Sequence, residues 1–168
     1  MGRLVAEKLL ARGDQVSTLK RSSEGIPLGA TPIFGNVADP ATCAQIPDSV
    51  ETIYYCASPS SGEEHSYREI YVDGLKTLLD HQRKANLKAR RLIVTTSTGA
   101  YHQKDGSWVD EKSPTSPKRE TARRILEGEA LLQDAAIETI SYRLSGIYGP
   151  GRTRLIRMVA SGEASRVE

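Results

Sequence analysis

Residues 1–22, MGRLVAEKLLARGDQVSTLKRS, decide the fold because they predict a helix that leads directly into a strand. Apolar residues recur on one face at helical spacing, at Val5, Ala6, Leu9 and Leu10. Gly13 stands where the end of a helix needs a residue that can adopt a positive φ. A short strand is predicted over residues 15–19, before a basic and polar turn at residues 20–22. A helix followed by a strand is half of a β–α–β unit, so we expect a first strand that this sequence does not contain.

The composition of the 168-residue chain is ordinary for a globular protein, with 38% hydrophobic residues, 26% charged residues and a net charge of +2. Basic and acidic residues are interspersed, which predicts neither a nucleic-acid partner nor a basic membrane-binding patch. No stretch approaches the roughly 18 apolar residues of a transmembrane helix. Two cysteines do not indicate a disulfide scaffold, and three histidines (His65, His81 and His102) lack metal-ligand spacing. These features predict one cytoplasmic domain without a metal site.

Strand and helix patterns alternate along the rest of the chain. Strands are predicted at residues 31–36, 51–57, 91–97 and 138–144. Helices are predicted at residues 64–86, 120–136 and 153–160, and a short one begins at Asp39 and Pro40. This alternation predicts an α/β fold with a doubly wound, mostly parallel sheet. Such sheets bind ligands at the carboxyl ends of their strands.

Candidate site residues are therefore those at the carboxyl ends of the predicted strands or directly after them. They are Lys20, Arg21, Ser22, Asn36, Val37, Ala57, Ser58, Pro59, Ser97 and Ser145. Taken alone, they predict a crevice large enough for a nucleotide at one edge of the sheet.

Three segments resemble the short-chain dehydrogenase/reductase superfamily, in particular its extended, epimerase/dehydratase-like branch. The segments are GRLVAEKLLARGDQVSTLKRS at residues 2–22, TTSTGAYHQKDGSWVDEKSP at residues 95–114 and YRLSGIYGPGRTRLI at residues 142–156. They occur in the family's order and span nearly the whole chain. The resemblance implies a Rossmann-like domain that binds NAD or NADP.

The resemblance also accounts for the helix that opens the chain. The family joins its first strand to its first helix through a Gly-x-x-Gly-x-x-Gly turn, of which only the last glycine is present, as Gly2. The first strand, which is central in the family's sheet, and the substrate-binding lobe that follows the third segment are both missing. We therefore expect residues 1–168 to be an internal fragment: a single NAD(P)-binding domain that is incomplete at its N-terminus and lacks its C-terminal substrate lobe.

The resemblance assigns cofactor contacts to the strand-end residues. A basic residue at the end of the second family strand suits the 2′-phosphate of NADP, whereas an acidic one suits NAD. Lys20, Arg21 and Ser22 therefore favour NADP, although a solvated basic turn would have the same sequence. Asn36 falls where the family commonly has an aspartate that contacts the adenine amine, a bond that an amide can also accept, and Val37 beside it is a further cofactor contact. Gly2 packs the first helix close to the sheet. The remaining contacts with the dinucleotide are assigned to Ala57, Ser58, Pro59, Ser97 and Ser145.

The catalytic pair of the family is absent. Members that transfer hydride use a Tyr-x-x-x-Lys pair on the helix after the fifth strand, whose positions hold Thr121 and Ile125 here. Ser97 matches the family's serine or threonine, and Tyr101 is a further catalytic candidate. One hypothesis is an oxidoreductase or epimerase with altered catalytic residues that acts on a small molecule. The alternative is a non-catalytic dinucleotide-binding sensor or scaffold. On the same helix, Glu129 falls on the apolar side and is expected to have a buried partner.

Overall fold

The computed structural model describes residues 1–59, 62–101, 103, 105–149 and 151–164, so His102 lies outside the described residues. The α-helices of this part of the chain are α1 (Gly2–Ala11), α2 (Pro40–Cys43), α3 (Glu64–Arg68), α4 (Leu75–Ala85), α5 (Glu120–Leu131) and α6 (Arg154–Ala160). Its strands are β1 (Ser17–Lys20), β2 (Thr31–Phe34), β3 (Thr52–Tyr55), β4 (Arg91–Ser97) and β5 (Glu138–Leu144). Among these helices, none is long and apolar enough to cross a membrane.

All strand pairs are parallel, which confirms the predicted α/β architecture. β1 pairs with β2, and β4 lies between β3 and β5 in a separate sheet. The described residues show no ladder between β1 and β3, so the two sheets are separated there. This break falls where the resemblance places the family's first strand.

Local sequence signals begin and end the helices as predicted. Gly13 follows α1 with φ of 92°, a conformation that residues with a Cβ rarely adopt. Asp39 caps α2 by accepting a hydrogen bond from the Ala41 amide at 2.9 Å, and Pro40 occupies the first turn. Asn86 ends α4 in the left-handed region with φ of 50°. These ends set the direction in which each helix leads into its strand.

One buried cluster connects the helices to the three-stranded sheet. Its members come from two strands (β3 and β4), three helices (α2, α4 and α5) and the residues that flank these elements: Val37, Cys43, Tyr55, Ile70, Tyr71, Leu75, Leu78, Leu79, Leu92, Val94, Ile125 and Leu132. The apolar stripe predicted on the helix over residues 64–86 supplies five of these side chains. Packing of this stripe against β3 and β4 fixes the helix above the carboxyl ends of those strands.

The helix predicted over residues 64–86 contains an irregularity, because Glu69–Gly74 form a π-helical turn between α3 and α4. The Tyr55 hydroxyl donates a 2.6 Å hydrogen bond to the Ile70 carbonyl oxygen within this turn. The Tyr71 carbonyl lies against Gly128 of α5, where a Cβ atom would overlap it. Partners that are distant in sequence thus support a turn that the local periodicity predicts as regular helix.

A methyl group at Gly128 is expected to destabilise the protein by about 2 kcal/mol. Alanine has the better helix propensity by about 1 kcal/mol, but overpacking costs roughly 1–3 kcal/mol. Because a new Cβ would meet the backbone of Tyr71, we expect the upper end of that cost. The free energy of unfolding of Gly128→Ala, measured in urea, tests this.

The matched control is Gly146→Ala, since a Cβ at Gly146 would meet no heavy atom within 4 Å. We expect it to change the stability by no more than about 0.5 kcal/mol. Equal or higher stability of Gly128→Ala would contradict the close contact between α5 and the π-helical turn.

Candidate functional site

An open cleft of about 370 Å³ lies at the carboxyl ends of β3, β4 and β5. Its lining combines strand-end residues with side chains from the helix above them. The lining residues are Ser58, Pro59, Tyr67, Tyr71, Thr96, Ser97, Leu144, Ser145, Ile147 and Arg152. The cleft is rich in hydroxyl groups, and Arg152 is the charged residue of the described lining. It can therefore hold an uncharged polar or an anionic ligand.

Four residues predicted from strand ends meet in this cleft: Ser58, Pro59, Ser97 and Ser145. Parallel strands bring them together because their carboxyl ends share one edge of the sheet. The other strand-end residues predicted to contact a cofactor do not line this cleft. They lie at the ends of β1 and β2 and just before Ser58: Lys20, Arg21, Ser22, Asn36, Val37 and Ala57.

Ser97 is held in place by the turn that begins directly after β4. Its hydroxyl oxygen accepts a 3.1 Å hydrogen bond from the Gly99 amide at the start of a 3₁₀ turn, Thr98–Ala100. A hydroxyl that accepts such a bond can still donate its own proton. Ser97 lines the cleft and can therefore still donate a hydrogen bond to a ligand oxygen there.

Tyr101, the other catalytic candidate, is held differently. Its hydroxyl donates to the Asp110 carbonyl oxygen at 2.8 Å. The Arg143 guanidinium carbon lies 5.0 Å from the centre of its ring, within the range of a cation–π interaction. Tyr101 is not among the described residues that line the cleft. Its phenol tethers the loop after β4, and contact with a ligand requires that the Asp110 bond be exchanged.

Glu129 of α5 has its predicted buried partner in Arg143 of β5. The carboxylate and the guanidinium form a two-pronged ion pair, with a shortest distance of 2.6 Å. Side-chain exposures are only 10% for Glu129 and 22% for Arg143. Thr96 also donates to the carboxylate at 2.7 Å, and Ser141 does so at 3.2 Å. The network ties α5 to β4 and β5 below the cleft, and hydrogen bonding to Glu129 raises the pKa of Arg143.

The basic turn after β1 is placed as a dinucleotide-binding turn requires, at the carboxyl end of its strand. Arg21 and Ser22 are exposed, and the Lys20 ammonium donates to the Glu24 carbonyl oxygen. Gly2 begins α1 close to the end of β3, since a Cβ there would lie 3.2 Å from the Cys56 Cβ. The short side chain thus permits the close helix–strand approach that the resemblance assigns to it.

Three further residues predicted as cofactor contacts follow β2 and β3: Asn36, Val37 and Ala57. Asn36 donates to the Glu69 carboxylate at 2.6 Å and accepts from the Ala38 amide at 3.1 Å. Its carbonyl oxygen has a second lone pair, so it can still accept from an adenine amine. Val37 is buried in the core cluster, and Ala57 packs against that cluster. Any contact of Val37 with a ligand would therefore be through its backbone.

The two positions of the missing catalytic pair differ in their surroundings. Thr121 is half-buried in the first turn of α5, whereas Ile125 is 3% exposed and belongs to the core cluster. Within the described residues, no group of three or more His, Cys, Asp or Glu could hold a metal ion. The polar groups that the described lining of the cleft offers are hydroxyl groups and the guanidinium of Arg152.

Sequence reasoning missed Tyr67, Tyr71, Thr96 and Arg152 as cleft residues. The two tyrosines fit the apolar stripe of their helix, so the pattern assigns them to the core. Their hydroxyl groups could have indicated a role in the cleft. The two tyrosines are four residues apart, and so on one face of the helix that follows the carboxyl end of β3. Arg152 lies in the third resembling segment, but its direction depends on the loop after β5.

Comparisons with known proteins agree with this geometry. Residues 1–165 match the sequence profile of a family described as the NAD dependent epimerase/dehydratase family. A structure from Methylobacillus flagellatus, described as an NAD-dependent epimerase/dehydratase, is 34% identical with a TM-score of 0.78. The match covers 96% of this chain and 56% of that one. No curated protein matches this chain.

Two more distant structures share the fold. WbmG of Bordetella bronchiseptica, in complex with NAD and UDP, is 19% identical with a TM-score of 0.74, and the match covers 95% of this chain and 56% of WbmG. UDP-glucose 4-epimerase of Thermus thermophilus, in complex with NAD, is 22% identical with a TM-score of 0.74, over 88% of this chain and 52% of the epimerase. The chain thus spans about half the length of the structures that it resembles.

Proposed function

The chain belongs to the NAD dependent epimerase/dehydratase family, and from this premise we propose that it binds a nicotinamide dinucleotide, with NADP preferred over NAD. The nicotinamide end lies at the cleft beyond β3, β4 and β5. The adenosine end lies near the turn after β1. A small molecule with a carbonyl or hydroxyl group is the reaction partner, and its reacting oxygen enters the cleft.

The observation that carries this proposal is the cleft itself. It lies at the carboxyl edge of three parallel strands, where α/β sheets bind nucleotides. Ser58, Pro59, Ser97 and Ser145, which the sequence predicts as site residues, line it together. Calorimetric titration of the protein with NADPH and NADH tests the proposal, and absence of binding by both would refute it.

The preference for NADP is argued from the charge of the turn after β1. A 2′-phosphate needs cationic donors, whereas the free ribose hydroxyls of NAD are best bound by a carboxylate. Lys20, Arg21 and Ser22 supply two cations and a hydroxyl, and the guanidinium of Arg21 is exposed to solvent. The close approach of Gly2 to β3 also fits a dinucleotide-binding helix start.

Replacement of Arg21 by alanine is expected to weaken NADPH binding by about 10- to 100-fold, with little change for NADH. A charge-assisted hydrogen bond is worth roughly 1.5–3 kcal/mol, which corresponds to that factor. Calorimetric dissociation constants for both cofactors measure the effect.

Arg12→Ala is the matched control, because Arg12 is also exposed but pairs with Asp14 before the amino end of β1. It should leave both affinities within about twofold, since surface pairs of this kind contribute little. Equal losses for NADPH and NADH in Arg21→Ala would show that Arg21 supports the turn and does not contact a 2′-phosphate.

The substrate is proposed from what similar proteins bind. The WbmG structure contains UDP beside NAD, and other similar structures are UDP-sugar epimerases. A sugar carried by a nucleotide is therefore one substrate class for the protein. The cleft accepts the reacting hydroxyl or carbonyl group, for which Ser97 is a donor in the lining.

A non-catalytic sensor or scaffold is the second candidate function. It is favoured by one observation: Ile125, at the family's lysine position, is packed in the core, so no ammonium lowers the pKa of an acid there. Both functions require dinucleotide binding. NADPH consumption with a panel of carbonyl substrates separates them, because only the first function predicts turnover.

We also place the protein in a reducing compartment, the cytoplasm. Cys43 and Cys56 are both free thiols. Burial raises the pKa of Cys43 to about 11, with a smaller effect from the Asp39 carboxylate, and burial also raises the pKa of Cys56. Thiols of this kind remain protonated and act as small apolar groups, so their chemistry adds nothing to the proposed reaction.

A further inference from the structure

The π-helical turn Glu69–Gly74 is the least regular part of the helix above the cleft, and several contacts define it. Tyr55 of β3 donates its hydroxyl hydrogen to the Ile70 carbonyl oxygen. Gly128 of α5 leaves the space that the Tyr71 carbonyl occupies. Asn36 donates to Glu69 at the first position of the turn. Contacts from three different parts of the fold thus converge on one turn.

Two tyrosines in and beside this turn reach the cleft. Tyr71 lies inside the turn and Tyr67 shortly before it, and both line the cleft with Thr96 and Ser97. Their ring centres are 5.9 Å apart and the ring planes are inclined at 33°.

The two tyrosines differ in how firmly they are held. Tyr71 is 7% exposed and belongs to the core cluster, whereas Tyr67 is only half-buried at its edge. An enclosed side chain such as that of Tyr71 loses little further conformational freedom when a ligand binds. A hydrogen-bond donor that is oriented in advance in this way interacts more favourably with the ligand. Tyr71 is therefore the better-positioned phenol in the cleft.

We infer that Tyr71 donates a hydrogen bond to the reacting oxygen of the substrate, beside Ser97, in a protein whose family tyrosine position holds Thr121. The inference rests on the proposed function. Tyr71 acts as a neutral donor, because burial and, to a lesser extent, the neighbouring Tyr67 raise the pKa of its phenol. It polarises and orients the oxygen, and it differs from the tyrosinate with which the family normally transfers protons.

The roles in a carbonyl reduction follow from this placement. A reduced nicotinamide cofactor, when bound, would supply the hydride whose electron pair forms the new bond to the carbonyl carbon, and would itself be oxidised. The π electrons of the carbonyl move onto the oxygen, where the hydroxyl groups of Tyr71 and Ser97 stabilise the developing charge. A proton from solvent water converts that oxygen into the alcohol and leaves hydroxide in the bulk, so Tyr71 keeps its own proton.

Tyr71→Phe tests the inference, because phenylalanine keeps the ring and removes the donor. Tyr142→Phe is the matched control, since Tyr142 of β5 is 52% exposed and is not among the described residues that line the cleft. The first readout is binding of isobutyramide labelled with carbon-13 at its carbonyl, an unreactive probe, to each protein with saturating NADPH. We expect the carbonyl resonance to move downfield with the unmodified protein and with Tyr142→Phe, and to move much less with Tyr71→Phe. An equal shift with Tyr71→Phe, or no shift with the unmodified protein, overturns the inference.

The second readout is the NADPH-dependent reduction of phenanthrenequinone. Tyr71→Phe should lower kcat roughly 100-fold, as removal of one preorganised donor does, with the KM for NADPH unchanged. Because the phenol stays neutral, kcat should not show a tyrosine ionisation between about pH 6 and pH 9. An unchanged kcat in Tyr71→Phe, or no reduction by the unmodified protein, also overturns the inference.

Calorimetric titration with NADPH separates the two possible failures. If NADPH binds equally to the unmodified protein and both variants while Tyr71→Phe retains the downfield shift, the inference fails and the proposed function stands. If NADH and NADPH both fail to bind to the unmodified protein, the proposed function fails and the inference fails with it.

Discussion

Replacement of Arg143 by methionine is expected to lower the free energy of unfolding by about 3 kcal/mol. Glu129 would then remain in a site where its side chain is 10% exposed, with hydroxyl donors from Thr96 and Ser141 but no compensating cation. Removing one partner of a buried ion pair typically costs roughly 3–5 kcal/mol. We take the lower end because Arg143 is itself 22% exposed. Urea denaturation of Arg143→Met measures the change.

The sheet provides a closely matched control in Arg91→Met. Arg91 starts β4 and pairs with Glu138, which starts β5, at 2.7 Å, but both side chains are about half exposed. An exposed pair of this kind contributes only about 0–1 kcal/mol. Similar losses in Arg143→Met and Arg91→Met would mean that solvent reaches the Glu129 carboxylate, contrary to the described network.

The parts of the fold that depend on local patterns could be predicted closely. The predicted strands at residues 91–97 and 138–144 have the same bounds as β4 and β5. These strands are marked by β-branched and apolar runs between clear breaks in the sequence. The predicted strand at residues 31–36 is two residues too long, because β2 ends before Gly35, which has φ of 153°.

Features that depend on distant partners could not be predicted in the same way. The spacing of residues 64–86 fits an α-helix, but the π-helical turn needs Tyr55 from β3 and Gly128 from α5. The charge of Glu129 suggested a buried partner, but its identity as Arg143 depends on the position of β5 beside β4. Such pairings depend on tertiary contacts that no local window contains.

The candidate site likewise contains some residues that local sequence patterns predict and others that depend on tertiary contacts. Ser58, Pro59, Ser97 and Ser145 could be predicted because the ends of parallel strands share one edge. Tyr71 could not, because its position on an apolar stripe is equally that of a core residue. The roles toward a dinucleotide of Lys20, Arg21, Ser22 and Asn36 stay predictions, and the Arg21→Ala titration is their most direct test.

Replacement of Ile125 by lysine is expected to destabilise the protein by about 5 kcal/mol, the largest effect on stability that we predict. Ile125 is 3% exposed in the core cluster, and loss of its buried side chain costs roughly 2–3 kcal/mol. Placing an amine there without a partner adds roughly 2–3 kcal/mol more. Thermal and urea denaturation should therefore show a protein that is largely unfolded or far less stable.

Ile125→Met is the matched control for this substitution. It has a similar volume and no polar atom, so it should cost less than about 1.5 kcal/mol. If Ile125→Lys were as stable as Ile125→Met, position 125 would open toward solvent or the cleft, and the family's catalytic lysine could be restored together with Thr121→Tyr. The packing of Ile125 predicts the opposite result. The proposed carbonyl chemistry would then depend on hydrogen-bond donors that already line the cleft, such as Ser97 and Tyr71.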